Sequence, residues 1–319
     1  MCPVCLMSVA AMAAGVTSSG GLTALVVRGF RSGNSTEKLR PRAERKGEVT
    51  MATSVTNKRE NLKVTSQAQW LAARKALLSK EKEFTRLRDE VSRQRRELPW
   101  ERVEKKYVFD GPNGKETLAD LFDGRSQLIV YHFMFGPDWA EGCQSCSLLA
   151  DHFDGSVPHL NARDVTLVVV SRAPLAQIEA FKKRMGWNFR WVSSYGTDFN
   201  FDYQVSFTKE EKAKGDVNYN FGMQKFFSDE GPGASVFYKD ATGEIFHTYS
   251  TYARGLDILV GAYNFLDMAP KGRDEEGLAF SMAWVRHHDK YEKGQVVDAK
   301  TTYQQPKSVS DSCCSGESH

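Results

Sequence analysis

The sequence is poor in cysteine, and the few it has are not dispersed. Six cysteines occur among 319 residues, as the close pairs Cys2/Cys5, Cys143/Cys146 and Cys313/Cys314. A secreted scaffold held by disulfides spreads its cysteines through a short chain, so that class is excluded. Close pairs point instead to redox or metal chemistry in a reducing compartment. A strongly apolar run is also missing. Residues 6–27 carry no charge, but Gly, Ser and Thr dilute them, and residues 1–5 offer none of the basic side chains that open a secretory signal. Were this stretch to span a bilayer, the basic residues after it would hold the rest of the chain on the cytoplasmic side. The body is therefore expected to be cytoplasmic and off the membrane. No Walker loop, GxGxxG, serine-hydrolase elbow, nucleic-acid signature or internal repeat occurs, so neither a bound cofactor nor a nucleic-acid partner is expected.

Net charge is small but unevenly placed. Residues 28–106 hold 22 basic and 11 acidic side chains, and residues 107–319 hold 21 and 29. A basic front section therefore precedes an acidic body, which suits an acidic partner surface or merely a solvated helix. A hydrophobic content of 41% is ordinary for a globular chain and excludes collagen-like and fully disordered classes.

Four regions follow from the pattern. Residues 1–66 read as a leader and basic linker without order, with Met51 offering a second start. Residues 67–106 read as a helical arm, in which Trp70, Leu77, Phe84, Val91 and Leu98 recur every seven residues and Pro99 ends the run. Either this helix wraps its own domain or it is a dimerising arm; Ala73, Lys80 and Gln94 at the alternate positions make a weak coiled coil. Residues 107–292 alternate short apolar runs with helical segments: strands at 127–135, 165–170 and 189–193, helices at 145–153 and 174–185, a hairpin at 234–239 and 244–249, and a closing helix at 255–268. That order is an α/β fold with a mixed sheet. Residues 199–227 insert a dense set of aromatics, read either as core or as a hairpin forming an apolar cleft. Residues 293–319 are a polar tail without expected order.

The chemistry concentrates in Phe133–Phe153, where a buried strand runs into a loop and Cys143-Gln144-Ser145-Cys146 opens a helix. Unpaired N–H groups and the positive dipole end of a helix favour a thiolate at Cys143. The thiolate is the attacking species, and Cys146, one turn on, is placed to resolve a mixed disulfide. Glu141 opposes this, so only a modest depression of the Cys143 pKa is expected. Two other readings of the pair are buried structural cysteines and a zinc site completed by His152 and His159. Lesser candidates are His132, as a core residue or a proton donor beneath the pair, and Arg172, at a strand's carboxyl end, as a thiolate or carboxylate partner. His287-His288 reads as a solvated helix end.

Trp139, Cys143 and Cys146 in WAEGCQSC resemble the active-site stretch of thioredoxins. More broadly, residues 67–292 resemble a bacterial thioredoxin-like family described only as domain of unknown function 899. The resemblance is carried by WLAARKALLSKEKEFTRLRDE, DGRSQLIVYHFMFGPDWAEGCQSCSLLADHF, DVTLVVVSRAPLAQIEAFKKRMGW, SVFYKDATGEIFHTYSTYARGLD and WVRHHDKY. It implies a thioredoxin-like mixed sheet flanked by helices, here with an N-terminal helical extension and an aromatic-rich insertion. It implies no established substrate. Two departures stand out. Pro232 lies one or two positions earlier than the proline thioredoxins place before the strand facing the site. Peroxiredoxins place Pro seven and Thr or Ser three residues before their cysteine, whereas Gly136 and Ala140 stand there, with Pro137 one position later.

The expected function is thiol–disulfide exchange with Cys143 as nucleophile and Cys146 resolving. Pro137, Asp138, Trp139 and Arg172 support the site, and the partners are a disulfide or other sulfur-containing substrate and a thiol electron donor. The alternatives are a dimeric binding protein without turnover, paired through residues 70–98, and a thiol peroxidase.

Overall fold

A computed structural model of the chain describes residues 64–292 and Val297. Almost all of the leader and tail, with Cys2, Cys5, Cys313 and Cys314, lies outside the described residues.

The first element is helix α1, Gln67–Arg96. Ser66 caps it reciprocally with Gln69, satisfying two otherwise orphaned amides, and Arg93, Arg95 and Arg96 in the last turn complement the dipole. The helix buries none of its residues, and Trp70, Leu77, Phe84 and Val91 are 39–66% exposed. It does not wrap its own domain as one reading had it. The expected arm of 67–106 is also shorter in helix, because strand β1 (Glu101–Arg102) leaves it to pair with the far end of the sheet.

The remaining strands are β2 (Val108–Gly111), β3 (Gly114–Thr117), β4 (Gln127–His132), β5 (Val165–Ser171) and β6 (Arg190–Ser193), then β7 (Val217–Tyr219), β8 (Gly222–Gln224), β9 (Gly233–Lys239) and β10 (Ile245–Tyr252). Of the ten strands among the described residues, eight form one sheet in the order β1-β10-β9-β4-β5-β6-β2-β3, while β7 and β8 pair apart. β4, β5 and β6 are parallel, β9 lies antiparallel beside β4, and β10 pairs antiparallel with β9. The run QLIVYH and the run VTLVVVS are apolar on both faces because helices or loops cover both sides of the central strands. Helices α2 (Gln144–Ala150) and α3 (Phe153–Asn161) connect β4 to β5, and α4 (Leu175–Arg184) connects β5 to β6. The short helices α5 (Phe199–Asp202) and α6 (Lys209–Ala213) lie in the aromatic insertion, and α7 (Gly261–Leu266) follows β10. A parallel crossover pair followed by an antiparallel hairpin and a helix, with the first strand central, is the thioredoxin arrangement.

The sheet has two covered faces. Tyr131, Phe133, Cys146, Leu149 and Phe153 pack on one with Trp191, which is 1% exposed and ringed by Phe133, Phe181, Trp187 and Phe189. Truncating an aromatic so placed costs about 3–5 kcal/mol. Leu128, Val130, Val168, Val170, Phe199 and Phe237 pack on the other.

Several elements differ from expectation. The helix after the cysteines runs to Asn161 in two pieces, through Pro158, so His159 is helical. The closing helix is broken into a 3-10 segment, Ala253–Leu259, and α7, because Val260 leaves helical geometry. The β2–β3 hairpin was not expected, as its charged, glycine-punctuated sequence lacks strand alternation.

Candidate active site

β4 ends at His132, and residues 133–142 form the approach to the cysteines. Phe133 N–H still bonds the Val170 carbonyl at 2.9 Å, and Ala173 N–H bonds Phe135 O at 2.8 Å, so the loop starts rigidly fixed. Trp139 N–H closes a turn on Gly136 O, with the indole against Gly136. Gly142 is required by close approach: a Cβ there would lie 2.6 Å from the Phe133 ring and 2.9 Å from Phe181. Its carbonyl is held by the buried His287 Nε2 at 2.8 Å. That bond makes Nε2 the protonated nitrogen, and Nδ1 then accepts from Arg184 at 2.8 Å. His287 is therefore a buried anchor, not a solvated helix end, because the 283–291 segment folds back over the loop; His288 bonds Asp151 beside it.

Cys143 follows as the N-cap of α2, its amide bonded to Met134 O at 3.0 Å and its carbonyl accepting from Ser147 N–H and Oγ, both at 2.9 Å. Cys143 and Cys146 are 5% and 3% exposed and carry thiols, not a disulfide. Cys143 and Tyr131 are the neighbours that act on the Cys146 thiol. Burial pushes the Cys146 thiol well above its usual pKa, and the neighbouring Cys143 adds to this. Burial likewise holds Tyr131 protonated. The pair is thus asymmetric: Cys146 stays protonated and buried, while Cys143 caps the helix.

Glu141 does not oppose a thiolate as expected. Burial alone raises its carboxyl, but ion pairs to Lys290 and Arg184 outweigh that and hold it below the usual range. Its charge is already neutralised by two cations.

Cys143 opens onto a cavity of about 660 Å³. Met134, Tyr219, Phe226, Phe227, Pro232 and Phe280 form its walls, and Ser145 and Ser281 contribute hydroxyls. The aromatic insertion therefore does both things read from it: Phe199 enters the core, while β7 and the loop after β8 build this wall. Pro232 lines the cavity with Cys143 although its peptide bond is trans.

The other candidates are placed elsewhere. Arg172 is paired with the buried Glu230 at 2.8 Å and lies 4.4 Å over the Phe201 ring. Ser206 Oγ donates to the other oxygen of Glu230 at 2.6 Å. Burial raises the Glu230 carboxyl to about 7, against the lowering effect of Arg172. Pro137 and Asp138 lie in the approach loop, outside the cavity wall. His132 does not sit beneath the cysteines, because strand alternation turns it to the opposite face, between Phe199 and Tyr203. Its Nε2 bonds Ser235 Oγ, Ser235 meets Ser250, and Ser250 meets His247, a chain leading away from the pair. Burial drops the His132 pKa to about 3, so it is neutral. His152 accepts from Ala262 N–H at 3.1 Å and serves the start of α7. No group of three or more metal-ligating side chains occurs among the described residues. No helix among them is long and apolar enough to cross a membrane.

Tyr131 and Glu230 were not singled out from the sequence, and His287 was read there only as part of a solvated helix end. Only Tyr131 carried a usable signal, since it shares strand parity with Phe133 and so faces the cysteine side.

Known structures of similar fold are distant. A mutant of peroxiredoxin Q from Xanthomonas campestris is 14% identical, with 53% of this chain and 98% of that chain covered at a TM-score of 0.34. Peroxidoxin BcpB from Mycobacterium tuberculosis is 12% identical, covering 51% and 94% at 0.31. A protein described as thiol:disulfide interchange protein DsbE from Chlorobium tepidum is 12% identical, covering 52% and 97% at 0.33. These overlays are loose, and the fold is read from the strand order. No curated protein matches the chain. A family model does match, over residues 59–291, most of the chain and all of its sheet: the chain belongs to the family described as bacterial protein of unknown function (DUF899).

Proposed function

We propose that the protein is a thiol–disulfide oxidoreductase in which Cys143 attacks and Cys146 resolves. The observation that carries this is the asymmetric pair: Cys143 caps α2 in the wall of the cavity, while Cys146 is buried one turn into the helix and is not part of that wall. The Cys143 thiolate attacks one sulfur of a disulfide, forming a mixed disulfide and releasing one thiolate. Cys146 gives up its proton, and its sulfur attacks the Cys143 sulfur, releasing the second thiolate. The protein loses two electrons and the substrate gains them; an external thiol donor restores the pair. The loop through Pro137, Asp138 and Trp139 positions Cys143, and Arg172 acts through Glu230 on the segment leading to Pro232. A cytoplasmic location belongs to this reading, since a reducing compartment keeps both thiols available.

The test is an equilibrium redox titration of the full chain with Cys2, Cys5, Cys313 and Cys314 replaced by Ser. The expected result is one reversible two-electron transition, absent from Cys143→Ser. A value near about −270 mV marks a reductase and one near about −120 mV an oxidant. Absence of any reversible transition sinks the proposal. Faster sulfenate formation with peroxide than disulfide formation with disulfides favours the peroxidase alternative.

The exposed stripe on α1 supports a second role, pairing with another copy of the chain. Light scattering is expected to show a dimer that survives loss of both cysteines and dissociates on Phe84→Asp with Val91→Asp. A wild-type monomer at tens of micromolar rules this out.

A further inference from the structure

We propose that the cavity over Cys143 binds the uncharged, apolar arm of a disulfide, and so selects neutral aromatic or aliphatic disulfides over charged ones such as oxidised glutathione. This deepens the proposed function and rests on Cys143 being the attacking thiol.

Three observations carry it. At about 660 Å³ the cavity has the size of a small-molecule site rather than a packing defect. Its walls are aromatic and aliphatic, and no Asp, Glu, Lys or Arg is among the described residues that line it. Cys143 is among the residues of the wall, with Ser145 and Ser281, so an apolar arm seated against Tyr219 and Phe226 brings its disulfide to the residue that carries the nucleophile. A carboxylate or ammonium carried into this space loses its water, and none of the residues lining it carries an opposite charge. An uncharged arm loses nothing comparable and gains contact area. The attack and resolution steps are those given above, with both electrons from the two thiols. One turnover by the reduced protein therefore needs no further reductant.

The rim supplies the control. Phe227 lines the cavity and is 74% exposed, so changing it leaves the core untouched. Reduced protein is mixed with di(p-nitrophenyl) disulfide, or with the same disulfide carrying a carboxylate on each ring. Each rate is divided by that for free cysteine. The neutral reagent is expected to be favoured at least about tenfold, the factor that one imperfectly solvated charge imposes. Phe227→Lys is expected to cut that preference severalfold by giving the carboxylate a partner. A preference within about twofold of that of free cysteine, or one that Phe227→Lys leaves unchanged, overturns the inference while leaving the redox reading intact. Should neither reagent react, the redox reading fails, and binding of the neutral fluorophore N-phenylnaphthylamine decides the cavity. Enhanced emission that Phe227→Lys abolishes supports an apolar site, and no enhancement overturns it.

Discussion

Cys143→Ser is expected to lower the rate of disulfide reduction by on the order of 10³-fold or more, because the attacking sulfur is gone and nothing in the wall replaces it. Cys146→Ser is expected to behave differently. The first attack survives, resolution does not, and a mixed disulfide accumulates on Cys143. Intact-mass measurement reads this directly as the protein plus one substrate half. The asymmetry follows from the geometry. Cys143 lines the cavity, whereas Cys146 is not part of its wall and is raised well above its usual pKa chiefly by burial. A stable adduct on Cys146 in the Cys143→Ser protein would falsify the assignment of roles. Cys146→Ser keeps a hydroxyl beside Tyr131, so its effect on folding is expected to stay within about 1–2 kcal/mol.

The second large effect is on stability, at Arg172 and Glu230. Glu230 is 1% exposed with two partners, Arg172 and Ser206. Arg172→Met leaves that carboxylate buried without its cation, and a loss of about 3–5 kcal/mol is expected at pH 8. Much of it is expected to return at pH 5.5, where Glu230 is protonated. Burial raises this carboxyl to about 7 from its usual 4.5, so the folded state holds a proton the unfolded state releases. The contribution to stability is therefore full below about pH 4.5 and is lost as pH rises through about 7, on the order of 3 kcal/mol in all. Urea denaturation between pH 5 and 8 measures it, with Glu230→Gln expected to flatten the profile. His287, whose pKa is lowered by burial, contributes with the opposite sign at acid pH but is common to both proteins. Identical slopes for wild type and Glu230→Gln would show that Glu230 does not titrate in this window.

The parts of the fold that were legible are those whose patterning is local. QLIVYH and VTLVVVS announce buried strands by their apolar runs, and Asp240-Ala241-Thr242-Gly243 announces a hairpin, in which Gly243 takes φ +90°. The heptad of α1 is equally local, and the helix forms over 67–96. The β2–β3 hairpin was hidden because an edge hairpin buries little and needs no alternation; only Phe109 and Gly111 of β2 are fully covered. The broken helix at 253–266 was hidden for the same reason in reverse. Its apolar spacing is helical, and contacts distant in sequence, such as His152 on Ala262, set where it starts.

Sequence alone determined that Cys143 and Cys146 open the helix that follows a buried strand, because spacing and strand composition are properties of adjacent residues. It also determined a basic front and an acidic body. Tertiary structure decided what surrounds the pair. Tyr131 reaches Cys146 from the strand below, and His287 closes on Gly142 from 145 residues away in the chain. Glu141 is neutralised by Arg184 and Lys290, and aromatics from the insertion wall the cavity. These relations arise from long-range packing, which fixes burial and charge partners together, and local patterning does not encode either.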